Sequence, residues 1–344
     1  MTNNVEVVTI RVNGKEYAAW PEVSVSAKLK GVREFTMQTT ERPSEWSFLP
    51  GTPVEILAND DVVLTGFFNR YNPSIQPEHH PITCYGRGKA QDIYDSHADT
   101  KTGRHVGKKP SEILKAENYT QANVITEVAE EAKPHFQVRQ GETLWNMAKR
   151  AVNDQGLVMT ETAKGDLSIM KARSRRHAGS IQEGRNLIDG NSDITDDQRH
   201  SETKVKGQNR DGTDDETALR IEKTATDSSV KRARKKVIVN QDNTTPASAQ
   251  KRADKNVEWA QGMSVKATLV VQGWRDDGGR IWEPGDLIYV SSLSLKLDGD
   301  MTIESAEMKQ NAEGESISTL QVVDPKAYGG KGGKSGSDPA YTAT

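Results

Sequence analysis

The stretch VEVVTIRVNG at residues 5–14 decides the class of the fold. Its first eight residues alternate between apolar and polar side chains, which is the period-two pattern of a half-buried β-strand. Asn13-Gly14 follows this run directly, and both central positions of a two-residue hairpin turn need a positive φ angle. The chain is therefore predicted to begin with a β-hairpin.

Further β-like runs fill the rest of the first 88 residues. They are residues 22–29, 35–40, 53–58, 62–68 and 82–86. About six short strands in so short a stretch predict an antiparallel barrel or sandwich. Gly66 and Gly86 come late in two of these runs, where a barrel bends or another backbone approaches closely. Residues 1–89 are thus expected to form a first β domain, a barrel or a sandwich, which the resemblance described below implies to be a barrel.

The middle of the chain changes to helical patterns. The predicted helices occupy residues 90–97, 109–114, 122–132 and 141–152. The last of these is amphipathic, with Thr143 as its N-cap. Residues 157–170 then resemble a hairpin that turns at Lys164-Gly165. Residues 90–178 are therefore predicted to form an α+β insertion domain.

The second half returns to β patterns after a polar crossover. A strand at 200–208 and about five more within 263–324, one of them at 293–297, predict a second β unit. The resemblance described below implies that it is a second β-barrel domain over residues 179–328. Residues 209–262, which include a predicted helix at 248–261, are expected to be an insert looped out of it. Trp274 and Trp282 flank a turn and are expected to pack the second barrel or its rim. Residues 329–344 are rich in Gly and Ser and predict a flexible tail.

Composition excludes several classes of protein. The single cysteine, Cys84, rules out an internal disulfide and a cysteine-based zinc site, and it is expected to be a small buried hydrophobe. The 46 basic residues against 49 acidic ones exclude a nucleic-acid footprint over the whole chain. No apolar run reaches the roughly 18–20 residues of a membrane span, and no secretory pattern begins the chain. We therefore expect a soluble protein that is made in the cytoplasm and does not insert into membranes.

No pattern of side chains predicts catalysis. The seven histidines form no HExxH motif, and no pair of them has the i, i+4 spacing of a helical metal site. The carboxylate clusters at 196–197 and 214–216 lie in polar segments, whereas a catalytic acid needs an apolar pocket. No carboxylate or histidine is expected in an apolar setting. The sequence thus predicts no catalytic, cofactor-binding or metal-binding residue, and the protein is not expected to be an enzyme.

A series of short motifs runs in a recognisable order along residues 5–328. These are VNGKEY at 12–17, PGTPVEI at 50–56, LTGF at 64–67, YGRG at 85–88, DIYD at 92–95, EGRNLI at 183–188, RHSETKVKGQ at 199–208 and IWEPGD at 281–286. The order resembles that in baseplate hub proteins of contractile-tailed phages, specifically the Mu-like tail protein family. That family is related to phage late-control proteins and to the base of type VI secretion spikes.

The resemblance assigns structural roles to twelve positions. They are Gly14, Trp20, Gly66, Gly86, Gly88, Asp92, Gly184, Gly207, Trp274, Trp282, Pro284 and Gly285. For the fold it implies an α+β, mainly β protein with two tail-tube-like antiparallel barrels, a central α+β insertion and a polar crossover.

The resemblance also implies a function. Three copies would form a ring that joins the six-fold tail tube to the three-fold central spike and lines the DNA channel. The implied partners are the other two subunits of a homotrimer, the tail tube protein, the central spike protein and the baseplate wedge proteins, with the tape measure protein as a further candidate. DNA would pass through without specific binding, the location would be the virion tail baseplate, and no cofactor is implied.

Two other classes of function stay open. Residues 136–150, FQVRQGETLWNMAKR, resemble the start of a LysM module, which would indicate a tail-associated protein that binds peptidoglycan or cleaves the cell wall. A Thr-capped amphipathic helix after a strand gives the same pattern, and a LysM module would need a second helix after Gly156. The other class is a soluble enzyme without a recognised motif.

Overall fold

A computed structural model describes residues 6–18, 21–40, 48–75, 77, 80–209 and 220–330 of the chain. The strands of the first third are β1 (Val8–Val12), β2 (Lys15–Tyr17), β3 (Glu22–Lys28), β4 (Glu34–Thr39), β5 (Pro53–Ala58), β6 (Asp61–Pro73) and β7 (Ile82–Gly88). The middle third contains α1 (Gln91–Asp95), β8 (Arg104–Lys108), α2 (Pro110–Glu117), β9 (Val124–Thr126), β10 (Lys133–Gln137), α3 (Leu144–Asn153), β11 (Val158–Glu161) and β12 (Leu167–Met170).

The last half continues with β13 (Arg176–Gln182), β14 (Leu187–Ile194), β15 (Glu202–Gln208), β16 (Arg220–Thr226), β17 (Lys235–Asn243) and α4 (Pro246–Gly262). It ends with β18 (Val265–Gln272), β19 (Leu287–Ser292), β20 (Leu297–Asn311), β21 (Ser316–Val323) and a 3₁₀ turn (Pro325–Tyr328). The fold is therefore α+β and mainly β, as the sequence predicted.

The predicted first hairpin is present. Asn13 and Gly14 have φ angles of 49° and 78°, and Val12 pairs with Lys15 across the turn. Strands also occupy the five other β-like runs of the first 88 residues. Cys84 lies within β7 and is fully buried, as expected for a small hydrophobe.

One sheet of 13 strands joins the two ends of the chain. Its main path runs β14-β18-β21-β20-β3-β4-β7-β6-β5-β1-β2, with β19 on β20 and β13 on β19. The link is the 15-residue strand β20, whose first part pairs with β19 and whose last part pairs with β3. Among the described residues, no pairing joins the terminal strands β14 and β2 of this path to each other.

Three large apolar cores lie along the chain. One is formed mainly by β1 to β7, a second by the helices and short strands of residues 90–169, and a third by residues 181–322. The second core includes most of the apolar face of α3, whose Thr143 side chain accepts from the Asn146 N–H as the predicted N-cap. Each core buries the apolar face of a different set of elements.

The position of Trp274 differs from the prediction. Trp274 is 1% exposed and lies in the N-terminal core, together with Met308 from β20. Its indole Nε1 donates to the Lys309 carbonyl oxygen at 3.0 Å. The pairing of β3 with β20 brings this part of the C-terminal half over the N-terminal core, which the sequence pattern could not show. Trp282, by contrast, packs in the C-terminal core.

The polar crossover also differs from the prediction. β15 is not a strand of the large sheet, because it pairs antiparallel with β16 and parallel with β17 in a separate sheet of three strands. Ala249 and Ala253 of α4 cover the apolar face of this sheet. A strand that exposes charges on one face still has an apolar face to bury, so residues 202–208 and 220–262 pack as a unit instead of forming one strand and a looped-out insert.

Two local predictions were wrong. Residues 122–132 are not helical, since Val124–Thr126 forms a strand parallel to β12, a conformation that its β-branched residues favour. Residues 293–296 form the turn between β19 and β20, whereas a strand was expected at 293–297.

Truncating Trp274 should show how much the N-terminal core depends on the C-terminal half. We expect Trp274→Ala to lower the free energy of unfolding by about 3–5 kcal/mol, because it leaves a large cavity and removes a buried hydrogen bond. Trp274→Phe should lower the free energy of unfolding by less, because the phenyl ring fills part of the cavity. Chemical denaturation of the full chain measures both values.

Leu293→Ala is the matched control, because Leu293 is 65% exposed and its truncation should change the stability little. An equal effect of Trp274→Ala and Leu293→Ala would contradict the assignment of Trp274 to the core.

Candidate functional site

A buried arginine connects three parts of the chain. Arg33, in the turn between β3 and β4, is 1% exposed. Its Nε donates to the Glu161 carbonyl oxygen at 3.1 Å, and its Nη1 donates to the Val63 carbonyl oxygen at 3.0 Å. Its Nη2 donates to Oε1 of Glu283 at 2.5 Å. We call Arg33, Glu161 and Glu283 the central junction, because they come from the N-terminal strands, the middle module and the C-terminal half.

Glu161 holds two further backbone segments. Its Oε2 accepts from the N–H of Arg33 at 2.6 Å, and its Oε1 accepts from the N–H of Ala90 at 2.7 Å. Burial raises the pKa of Glu161 to about 7, although the two N–H donors act against this shift. Gly88 lies directly against the carboxyl group, so that a Cβ at this position would overlap it. The glycine is therefore required for the contact between β7 and β11.

The IWEPGD motif forms the C-terminal side of the same region. Gly285 has a φ angle of +92°, and a Cβ there would overlap the Met170 side chain. Its N–H donates to the Ile303 carbonyl oxygen at 2.8 Å, and its own carbonyl accepts from the Arg173 N–H at 2.7 Å. The Pro284 carbonyl oxygen accepts from Arg173 Nη1 at 3.0 Å. The motif thus fixes the end of β12 against the C-terminal core.

Asp286 completes the motif as a buried anion. It is 0% exposed and is surrounded by three arginines. Arg175 Nε lies 2.8 Å from Oδ2, Arg280 Nη2 lies 3.1 Å from Oδ2, and Arg173 Nη1 lies 3.2 Å from Oδ1. A buried carboxylate is tolerated only when charges and hydrogen bonds compensate for its lost hydration, and these arginines provide both.

His177 lies beside this cluster. It is 1% exposed, its Nδ1 lies 2.8 Å from Oδ2 of Asp276, and its ring centroid lies 4.8 Å from that of Trp282. Burial lowers the pKa of His177, while the hydrogen bond to Asp276 opposes this. No carboxylate or histidine was expected in an apolar setting; Glu161 and His177 are buried, but both have polar partners. The apolar residues at 157–159 were the sequence signal that Glu161 lies in a buried segment.

Four of the predicted positions lie at these contacts. Gly88 lies against Glu161 of the central junction, and Trp282 covers His177. Pro284 and Gly285 follow Glu283 in the chain and contact Arg173. Gly66 and Gly86 serve the N-terminal sheet instead. A Cβ on Gly66 would overlap the Arg87 carbonyl, and one on Gly86 would overlap the Phe35 ring. Glycine is therefore needed at both positions, because a side chain would collide with the neighbouring strand.

The remaining positions lie elsewhere. Gly14 and Gly184 occupy turns with φ angles of 78° and 77°. Gly207 packs against Thr244 in the separate small sheet. Asp92 lies in the first turn of α1, where burial raises the pKa of its carboxyl group. Trp20 is outside the described residues.

The described residues also allow a test for metal sites, membrane-spanning helices and a LysM module. Over the ranges that the structure describes, no group of three or more His, Cys, Asp or Glu side chains could hold a metal ion. No helix in the same ranges is long and apolar enough to cross a membrane. After Gly156 the chain forms the hairpin of β11 and β12, where a LysM module would need a second helix.

The stability of the protein should depend on the ionisation of Glu161. Because its pKa in the folded state lies above the usual value of a carboxyl group, the folded state favours the protonated form. The stabilising effect is then complete at low pH and is lost as the pH rises through about 7. We expect the free energy of unfolding of the wild type, relative to Glu161→Gln, to fall by about 1–3 kcal/mol between about pH 5 and pH 8.

Urea denaturation of both proteins across this pH range measures the difference. Glu131→Gln is the control, because the Glu131 side chain is 72% exposed and should show no such trend. A difference that stays constant or grows with pH would contradict the assignment.

Comparisons with known proteins agree with this architecture. A family model described as the N-terminal part of the Mu phage baseplate assembly protein GpP-like matches residues 7–88. The fourth domain of the Mu phage baseplate assembly protein GpP matches residues 245–330. The third domain of the tail protein NMB1110-like matches residues 199–257, most of which form the separate unit of β15 to β17 and α4.

Whole proteins match over most of the chain. The baseplate hub protein gp44 of Escherichia phage Mu is 27% identical over 302 residues, which cover 83% of this chain and 79% of that protein. The 43 kDa tail protein of prophage MuSo2 from Shewanella oneidensis has a TM-score of 0.84 at 25% identity, over 94% of this chain and 99% of its own. The tail protein from Neisseria meningitidis MC58 has a TM-score of 0.80 at 20% identity, over 94% and 98% of the two chains.

A protein from a bacterial secretion system has a similar fold. The E. coli c3393 protein, a component of the type VI secretion system, has a TM-score of 0.59 at 8% identity and covers 92% of this chain and 76% of its own, a likeness of fold alone. The resemblance predicted from the order of motifs is thus confirmed. Family models match residues 7–88 and 245–330, whole proteins match over most of the chain, and the chain is similar to the Mu-like phage baseplate hub and tail proteins.

Proposed function

We propose that the protein is the trimeric baseplate hub of a contractile phage tail. In this role a ring of three copies joins the six-fold tail tube to the three-fold central spike and lines the channel through which DNA passes. The observation that carries the proposal is the pairing of β3 with β20, which links an N-terminal and a C-terminal β unit into one sheet. Three chains with two linked β units each can present six units to a six-fold partner.

The two β units are proposed to be tail-tube-like barrels. The first comprises residues 1–89, the α+β insertion comprises 90–178, and the second comprises 179–328 without the unit of β15 to β17 and α4. Separate apolar cores and the family matches at 7–88 and 245–330 support this division. In the described chain, β2 and β14 are the terminal strands of the sheet path.

The exposed strand edges support assembly. β14 is a terminal strand of the sheet. Two of its apolar residues, Ile188 and Ile194, are 58% and 54% exposed. Two exposed isoleucines on a terminal strand favour contact with another chain, although the strand also carries Asp189 and Asp193, and a closed ring removes unpaired strand edges. We therefore place this edge of β14 at a contact between subunits.

The role is structural and not enzymatic. The buried acidic groups Glu161, Asp276 and Asp286 are occupied by donors from the chain itself, which supports a function in holding segments together. Beyond the second and third subunits, the proposed partners are the tail tube, central spike and baseplate wedge proteins, with the tape measure protein as a further candidate. The proposed location is the virion tail baseplate.

The oligomeric state tests the proposal. We expect size-exclusion chromatography with light scattering to give about three times the chain mass of 37.9 kDa. Replacing Ile188 and Ile194 with Asp should dissociate the trimer, because each replacement removes an exposed apolar side chain from the proposed contact and buries a charge there. Val106→Asp, at a similarly exposed site in the middle module, should leave the mass unchanged.

A well-behaved monomer at micromolar concentration would contradict the trimer. A trimer that survives both replacements on β14 would contradict the placement of this edge at the interface.

The alternative class of function, cleavage of the cell wall, is tested by zymography. Since the buried carboxylates are held by the chain's own donors, we expect no clearing of peptidoglycan, with hen egg-white lysozyme as the positive control. Clearing that disappears when one acidic residue is replaced would overturn the structural role.

A further inference from the structure

A basic cavity of about 360 Å³ lies between the middle module and the small separate sheet. Its walls come from the start of β11, from β17, from α4 and from the last turn of the described chain. The charged side chains that line it are Lys30, Lys236, Arg252, Lys255, Glu258 and Lys326. Five basic groups and one acidic group thus meet in a chain whose overall charge is -3.

Three of these amines form no salt bridge within the described part of the chain, although Glu304 acts on Lys30 electrostatically and opposes the effect of burial on its pKa. Lys255 is paired with Glu258 at 2.5 Å, whereas Lys30, Lys236 and Lys326 form no salt bridge there. Lys30 Nζ instead lies 4.6 Å from the centroid of the Tyr328 ring, and Lys236 Nζ lies 5.7 Å from that of Trp259. Their charges are therefore available to an anion.

Burial of part of the side chain lowers the pKa of Lys30 and of Lys236, although Lys30 as a whole residue is exposed and Lys236 is half-buried. Lys30 is also held in place, because its φ angle is 57° and its N–H donates to the Met159 carbonyl oxygen at 2.8 Å. An anion in the cavity would pair with these ammonium groups.

The cavity is also partly apolar. Leu157, Val158 and Ala327 line it and are buried, beside the half-buried ring of Trp259. A nucleic-acid backbone presents phosphates without apolar groups and is too wide as a duplex for this space. An acidic polypeptide presents carboxylates and aliphatic side chains together, which matches both parts of the lining.

We propose that this cavity binds an acidic, partly aliphatic segment of a partner polypeptide. Its carboxylates pair with Lys30, Lys236 and Lys326, and an aliphatic side chain packs on Leu157 and Val158. The inference goes beyond the hub function and holds whether or not the protein is a trimer, because one chain provides every lining residue. The bound segment would connect α4, β11 and the last turn.

The test uses the full chain and three labelled probes in fluorescence anisotropy. The first probe is a peptide of about ten residues that alternates glutamate with leucine, the second alternates lysine with leucine, and the third is an oligothymidylate of about 20 nucleotides. We expect only the acidic peptide to bind, and to bind more weakly at about 300 mM than at about 50 mM salt.

A matched pair of variants locates the site. The double variant Lys236→Glu, Lys326→Glu should weaken binding of the acidic peptide about tenfold or more, because both contacts become repulsive. The double variant Lys108→Glu, Lys115→Glu makes the same change in charge at exposed positions of the middle module and should bind as the wild type does. Thermal unfolding checks that both variants are folded.

Three results would overturn the proposal. They are no binding of the acidic peptide, equal weakening by the two double variants, and tighter binding of oligothymidylate that the cavity variant abolishes. The last result would identify a nucleic-acid site instead.

Discussion

The antiparallel pairing of β3 with the last part of β20 is the constraint on which the rest of the structure depends. Its register runs from Lys28 opposite Ser305 to Glu22 opposite Asn311. The pairing makes one sheet of the two ends of the chain and carries Met308 into the N-terminal core, where Trp274 also packs. The N-terminal strands therefore do not complete their core without residues from the C-terminal half.

The central junction fixes the middle module against this sheet by polar contacts. Arg33 and Glu161 are both almost fully buried, and their desolvation is partly compensated by donors and acceptors from β6, from the start of α1 and from the IWEPGD motif. Apolar packing alone is not directional, whereas these bonds specify one orientation of the modules.

Local patterns predicted the strands of the N-terminal unit because alternation and the Asn13-Gly14 turn act over a few residues. Long-range pairing left no such local signal. The sequence could not show that β15 leaves the large sheet, that Trp274 crosses to the other core, or that Glu161 is buried by segments 71 and 128 residues away. At 122–132 a helical pattern competed with β-branched residues, and the parallel pairing with β12 decided in favour of a strand.

The pairing of β3 with β20 has a consequence for how the protein is made. Ser24 and Glu307 touch although 283 positions separate them, so the strand that completes the N-terminal sheet leaves the ribosome long after the first strands. At about 5–20 residues per second the delay is about 15–60 s. Throughout this time the nascent chain exposes the unpaired edge of β3 and a core that lacks Trp274 and Met308. Folding of the N-terminal unit is therefore a late event in translation, and chaperones are expected to hold that edge until synthesis is nearly complete.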